Sequence, residues 1–142
     1  DHTAARDSFR NTLVQNGLKI TPQRIAVYEA LLEARDHPSA EMVYTRVRKT
    51  VPNISFDTVY RTLLSLVELG LAKLVDSFDD RRRFEPNVQD HHHCICVKCR
   101  KIIDFYSEEY DALQIPKTLG KQFQVLHKRV VLEGICPECR GK

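Results

Sequence analysis

The chain has 142 residues, of which 42% are hydrophobic and 29% charged; that is the make-up of one folded domain or two small ones, and it excludes a disordered or collagen-like chain. No apolar run approaches the roughly 18 residues of a membrane span, and residues 1–7 lack the apolar segment of a secretory leader, so the expected location is the cytoplasm. The net charge is +3, with 13 Lys and Arg against 11 Asp and Glu over 1–84 and 9 against 8 over 85–142, too even to imply nucleic acid on charge alone.

The first half reads as helical. A helix from about residue 4 to 15, with Phe9 and Leu13 four apart, stops at Gly17. Thr21-Pro22 starts the next: a hydroxyl N-cap, then a proline at the position where a missing N–H costs nothing. Ile25, Tyr28, Leu31 and Leu32 follow at helical spacing. Ser39 caps a segment carrying Val43 and Val47 and ended by Pro52. Ser55 caps another, with Val59, Leu63, Leu66 and Leu69 as its apolar stripe and Gly70 at the left-handed position beyond its end. Two short extended pieces, 71–77 and 82–86, flank the polar turn Phe78-Asp79-Asp80 and read as a hairpin. Three helices and a hairpin are the order of a winged helix-turn-helix, in which Ser55 to Leu69 would enter the major groove. A small helical bundle with a surface hairpin shares the same pattern.

The second half changes character. Residues 86–90 read as a hinge, and 91–97, 101–105 and 122–132 as strands, with a short helix near 107–113. The division expected is therefore a first domain over 1–84, a hinge over 85–90 and a second domain over 91–142.

All five cysteines lie in this half. Cys96/Cys99 and Cys136/Cys139 are two C-x-x-C pairs with 36 residues between them. Each pair sets two thiolates on one tight turn, and two such turns close a tetrahedral zinc site with no position left for water, hence structural. A redox role for the pairs is the competing reading, but no thioredoxin-like βαβ pattern accompanies them. Cys94 has no partner in this scheme and is expected to be a buried small hydrophobe.

In the run His91-His92-His93, period two sends His91 and His93 to one face of a strand and His92 to the other. Asp104 on the next strand could add a carboxylate. Imidazoles with a carboxylate suit Fe, Mn, Co, Ni or Zn; a block of exposed histidines without an ion would look the same.

Taken together, Thr21-Pro22-Gln23-Arg24, His37-Pro38-Ser39-Ala40, Thr58-Val59-Tyr60-Arg61-Thr62-Leu63, Arg83-Phe84-Glu85, the His-rich run into Cys96-x-x-Cys99, and Gly134-Ile135-Cys136-x-x-Cys139 resemble the ferric uptake regulator family of metal-dependent repressors over residues 4–140. The resemblance implies an α+β homodimer: an N-terminal winged helix-turn-helix domain, then a small α/β dimerisation domain with a four-cysteine zinc site. It also implies a regulatory Fe(II) or Mn(II) held by His37, Glu85, His91, His93 and Asp104, and operator DNA contacted by Tyr60, Arg61, Ser55 and Thr58. Arg6, Arg10, Lys19, Arg24 and Arg46 are candidate phosphate contacts.

The family's iron-responsive branch typically has Glu at both carboxylate positions and its peroxide-responsive branch Asp at both; this chain has Glu85 and Asp104. The leading expectation is a repressor released when peroxide oxidises a ligand histidine, His37 or His91. The alternative is an iron-level repressor without peroxide sensing. No substrate turnover is expected, although His91, His93 and a carboxylate also match the facial triad of a non-haem iron oxygenase. Asp90, His92 and His127 are left outside the metal set.

Overall fold

A computed structural model describes residues 2–75 and 81–141, and the chain divides into two compact units, Asp1–Val88 and Gln89–Lys142.

The first unit runs α1 (Thr3–Gln15), α2 (Pro22–Glu33), α3 (Ala40–Val47), α4 (Phe56–Glu68), β1 (Lys73–Val75) and β2 (Arg83–Glu85). The hydroxyls of Thr21, Ser39 and Ser55 each accept the backbone N–H three residues on, at 3.0–3.3 Å, and so satisfy an orphan donor at the start of α2, α3 and α4. Gly70, at φ +76°, ends α4: Leu71 N–H reaches back to Leu66 and Gly70 N–H to Val67, a closure that needs the left-handed backbone glycine adopts without strain. The apolar stripes meet in one core, where Val27, Leu31, Val43, Val59, Leu63 and Phe84 are fully buried. Each such side chain contributes about 1.5–3 kcal/mol by leaving water. Strands β1 and β2 pair antiparallel, Lys73 with Glu85 through Val75 with Arg83. The expected turn Phe78-Asp79-Asp80 lies outside the described residues. This is a winged helix-turn-helix with α1 added in front.

The second unit runs β3 (His92–Cys96), β4 (Ile102–Phe105), α5 (Glu108–Asp111), α6 (Lys117–Gln122), β5 (Val131–Gly134) and α7 (Pro137–Arg140). Its sheet has the order β4-β3-β5, with β4 antiparallel and β5 parallel to the central strand.

Two expectations fail here. The long strand over 122–132 is not formed: α6 reaches Gln122, and the strand spans Val131–Gly134. Its pairing with β3 begins at Val131 opposite His93, and among the described residues no strand lies opposite the preceding segment. The apolar alternation that suggested a strand belongs to exposed side chains, Phe123 at 62% and Leu126 at 73%. Cys94 is not buried but half-buried, because its neighbours across the sheet, Ile103 and Leu132, are themselves exposed.

Candidate metal centres

Cys96 ends β3, Cys99 follows in the turn, Cys136 is the N-cap of α7 and Cys139 lies within that helix. Their four sulfurs lie within 4.8 Å of one another, and Cys99 Sγ is 3.7 Å from Cys136 Sγ. A tetrahedral ion with Zn–S bonds of about 2.3 Å needs S–S edges of roughly 3.8 Å. The backbone N–H groups of Cys99 and Cys136 both donate to Cys96 Sγ, at 3.5 and 3.4 Å.

Those two amides bring the Cys96 thiol down to about 6. The Cys139 thiol is pushed up to about 12, chiefly by its hydrogen bond to Cys136 and then by burial. Successive thiolates in one cluster repel each other, so the first ionises easily and the last does not. A divalent cation removes that conflict. All four cysteines singled out in the sequence are thus brought together.

The other candidate ligands form a group within each unit. In the first unit, His37 Nε2 is 3.1 Å from Glu85 Oε2, both side chains buried. Local pairing builds this contact. Phe84 N–H donates to the Pro38 carbonyl at 2.9 Å, Ser39 bridges to Arg83, and Arg83 Nη1 donates to the His37 carbonyl at 3.4 Å. Strand β2 and the entry to α3 are stitched side by side, and His37 is held at φ +51°. A residue with a Cβ costs about 1–2 kcal/mol in that region, so the surrounding bonds enforce the placement of this imidazole.

In the second unit, His91 Nε2 is 3.2 Å from His93 Nε2, and Asp104 Oδ1 lies 3.6 and 3.1 Å from the two nitrogens. Register explains it: His93 sits directly opposite Asp104 on β4. His91 Nδ1 donates to the Gln89 carbonyl at 2.6 Å; this fixes the tautomer and leaves the Nε2 lone pair facing His93 and Asp104. Sequence reading did not single out Gln89, and no side-chain pattern could, because its contact with His91 is made by a backbone carbonyl.

His92 faces elsewhere. Val130 N–H donates to its Nδ1 at 3.0 Å and its Nε2 donates to Asp111 at 2.7 Å, so both nitrogens are engaged. His127 lies 3.8 Å from Asp90, and both are exposed.

Ser55, Thr58, Tyr60 and Arg61 all lie at the start of α4. Ser55 Oγ caps the helix and meets the Thr58 hydroxyl at 2.9 Å. Arg61 pairs with Asp57 one turn back at 3.0 Å and stays 79% exposed. The Tyr60 hydroxyl accepts from Arg82 at 3.2 Å. Of the candidate phosphate contacts, Arg6 pairs with Glu29, Arg46 with Asp36, and Arg24 donates to the Lys19 carbonyl.

Residues 15–133 match the profile of the Ferric uptake regulator family. The chain belongs to the ferric uptake regulator family. A peroxide-responsive repressor, PerR, of Staphylococcus epidermidis is 35% identical over 129 residues, which are 91% of this chain and 86% of that protein. Among solved structures of the family, the Helicobacter pylori ferric uptake regulator Fur, described with three functional metal binding sites, superposes with a TM-score of 0.80. It is 27% identical over 99% of this chain and 94% of its own. PerR of Streptococcus pyogenes, solved for peroxide sensing and gene regulation, gives a TM-score of 0.56 at 29% identity, over 95% of this chain and 92% of its own.

Proposed function

We propose that the protein is a dimeric, metal-dependent repressor of the cytoplasm that binds palindromic operator DNA and lets go when peroxide oxidises a ligand histidine. Cys96, Cys99, Cys136 and Cys139 would hold a structural zinc ion, and His37, Glu85, His91, His93 and Asp104 a regulatory Fe(II) or Mn(II). Nitrogen and carboxylate donors suit those ions, as thiolates suit zinc. The observation that carries the reading is the convergence of His91 Nε2, His93 Nε2 and Asp104 Oδ1 within 3.6 Å, with the His91 tautomer set by a backbone carbonyl.

When bound, the ion supplies Lewis acidity and, as Fe(II), the electron that cleaves peroxide. The residues do the rest. His37 and Glu85 come from the winged-helix unit and His91, His93 and Asp104 from the other, so a shared ion would favour one arrangement of the two units. In a dimer that arrangement would set the spacing of two α4 helices, which must suit half-sites about one DNA turn apart. An imidazole of His37 or His91 that gains an oxygen atom no longer donates its lone pair, and the arrangement relaxes. The exposed apolar side chains of the second unit, Leu119, Phe123, Leu126 and Leu132 among them, support dimerisation through that unit.

The test is oxidation of the Fe(II)-loaded protein with hydrogen peroxide, followed by peptide mass and DNA affinity. The expected result is one added oxygen on peptides containing His37 or His91, together with loss of operator binding. Metal-reversible DNA binding without added oxygen would select the second reading, an iron-level repressor, which Glu85 favours. The peroxide reading is supported by the PerR relatives.

A further inference from the structure

Phe56, the first residue of α4, lies in the helix's N-terminal turn and at the centre of a row of rings in the winged-helix unit. Its ring runs parallel to that of Tyr60, one turn further along α4, with centroids 6.1 Å apart and an interplanar angle of 9°. Tyr44 of α3 meets it edge-on at 5.7 Å. The two ends of the row carry cations: the Arg48 guanidinium stands 5.2 Å over the Tyr44 ring, and Arg82, just before β2, donates to the Tyr60 hydroxyl at 3.2 Å. Arg48–Tyr44–Phe56–Tyr60–Arg82 therefore joins both helices of the helix-turn-helix to the wing.

Such a row packs side chains, but it leaves Phe56 38% exposed, where an apolar ring gains nothing from water. The stack fixes the ring's direction, and a ring held in one direction loses little entropy when something covers it. The N-terminal residues of a recognition helix are those that reach base edges in the major groove, and the apolar group displayed there is the C5-methyl of thymine. Arg48 and Arg82 supply positive charge at the two ends of the row, as an approach to phosphates requires.

We infer that Phe56 is a specificity-determining residue that packs its ring against the C5-methyl group of one thymine in each half-site, with Tyr60 and Tyr44 as its support. This rests on the repressor reading and names a base contact within it.

The test uses the full-length Mn(II)-loaded protein and duplexes it selects from a randomised pool, in which each thymine is replaced singly by uracil, deleting only the methyl group. For the unmodified protein, one position per half-site is expected to weaken binding about fourfold, the equivalent of ~0.8 kcal/mol. Replacing both positions should weaken it about sixteenfold. Phe56→Ala should bind the thymine and uracil duplexes alike at those positions, while keeping its zinc content and its dependence on Mn(II). Should that variant fail to fold, Phe56→Gln, which places a polar amide at the same exposed site, is expected to lose the uracil step as well. A methyl-insensitive operator, or an unchanged uracil profile in the Phe56 variant, overturns the inference while leaving the repressor reading intact. Failure of the unmodified protein to select any duplex with either Mn(II) or Fe(II) overturns both.

Discussion

The two units of this chain are held together by different means. The first buries aliphatic and aromatic side chains from four helices around Phe84. In the second, the buried side chains among the described residues are His91, His92 and His93, Cys96, Cys136 and Cys139, and two isoleucines, Ile95 and Ile102. Buried apolar side chains are thus few in the second unit beside those of the first. What it has instead is a cluster of four sulfurs, a histidine network and apolar side chains facing outward. The difference is that the winged helix rests on packing, while the second unit gathers donor groups suited to an ion and leaves apolar side chains outward.

The sharpest way to break this comparison is to remove the sulfur cluster. Cys96→Ser should abolish zinc binding and unfold the second unit with the dimer, since a structural zinc site is worth ~10–16 kcal/mol in small domains. Hydrogen exchange would then show lost protection over β3 and β4 and retained protection over α2 and α4. Native protection of β3 in the zinc-free variant would mean that the unit does not need its ion. The complementary change is Leu63→Ala in the core of the first unit. It should lower that unit's stability by about 2–5 kcal/mol while zinc content stays at one per subunit. Loss of zinc on that substitution would show that the two units do not fold on separate grounds.

How much of this was legible in the sequence follows the same division. Hydroxyl caps at Thr21, Ser39 and Ser55 and the terminating Gly70 are local signals, and local signals with helical periodicity locate helices well. The C-x-x-C pairs are likewise local, and the structure brings their sulfurs together. The expected strand over 122–132 misled because alternation records only that one face is apolar, not what covers it; with Phe123 and Leu126 facing outward, the cover is not in the same subunit's described residues. Cys94 misled for a related reason, as a small residue on a central strand is buried only if something packs over that face. The His91 tautomer was out of reach because a carbonyl carries no residue-type signal. The pairing of His37 with Glu85 joins residues far apart in the chain and depends on β2 lying beside the entry to α3, which spacing alone does not encode.

The smallest expected effect also separates the units. On the first unit's surface, the Arg46 guanidinium, hydrogen-bonded to Asp36 at 2.6 Å, holds that carboxyl below its ordinary value. A carboxyl whose folded pKa is depressed contributes stability above its unfolded value, ~3.9, and that stability is lost as the pH falls through the folded value. Both side chains are more than a third exposed, so solvent screening keeps the contribution to a few tenths of a kcal/mol, within the ~0.2–1 range of exposed pairs. Arg46→Ala should therefore cost the first unit a few tenths of a kcal/mol at about pH 6, and the difference should shrink toward zero in acid. The second unit should fail first on the same descent, because protons compete with zinc for all four sulfurs. Thermal unfolding of both proteins from about pH 6 downward, with released zinc measured in parallel, checks the order. If the first unit melted before zinc appeared, surface carboxylates rather than thiolates would govern the acid limit, and the contrast between a packed unit and an ion-dependent one would fail.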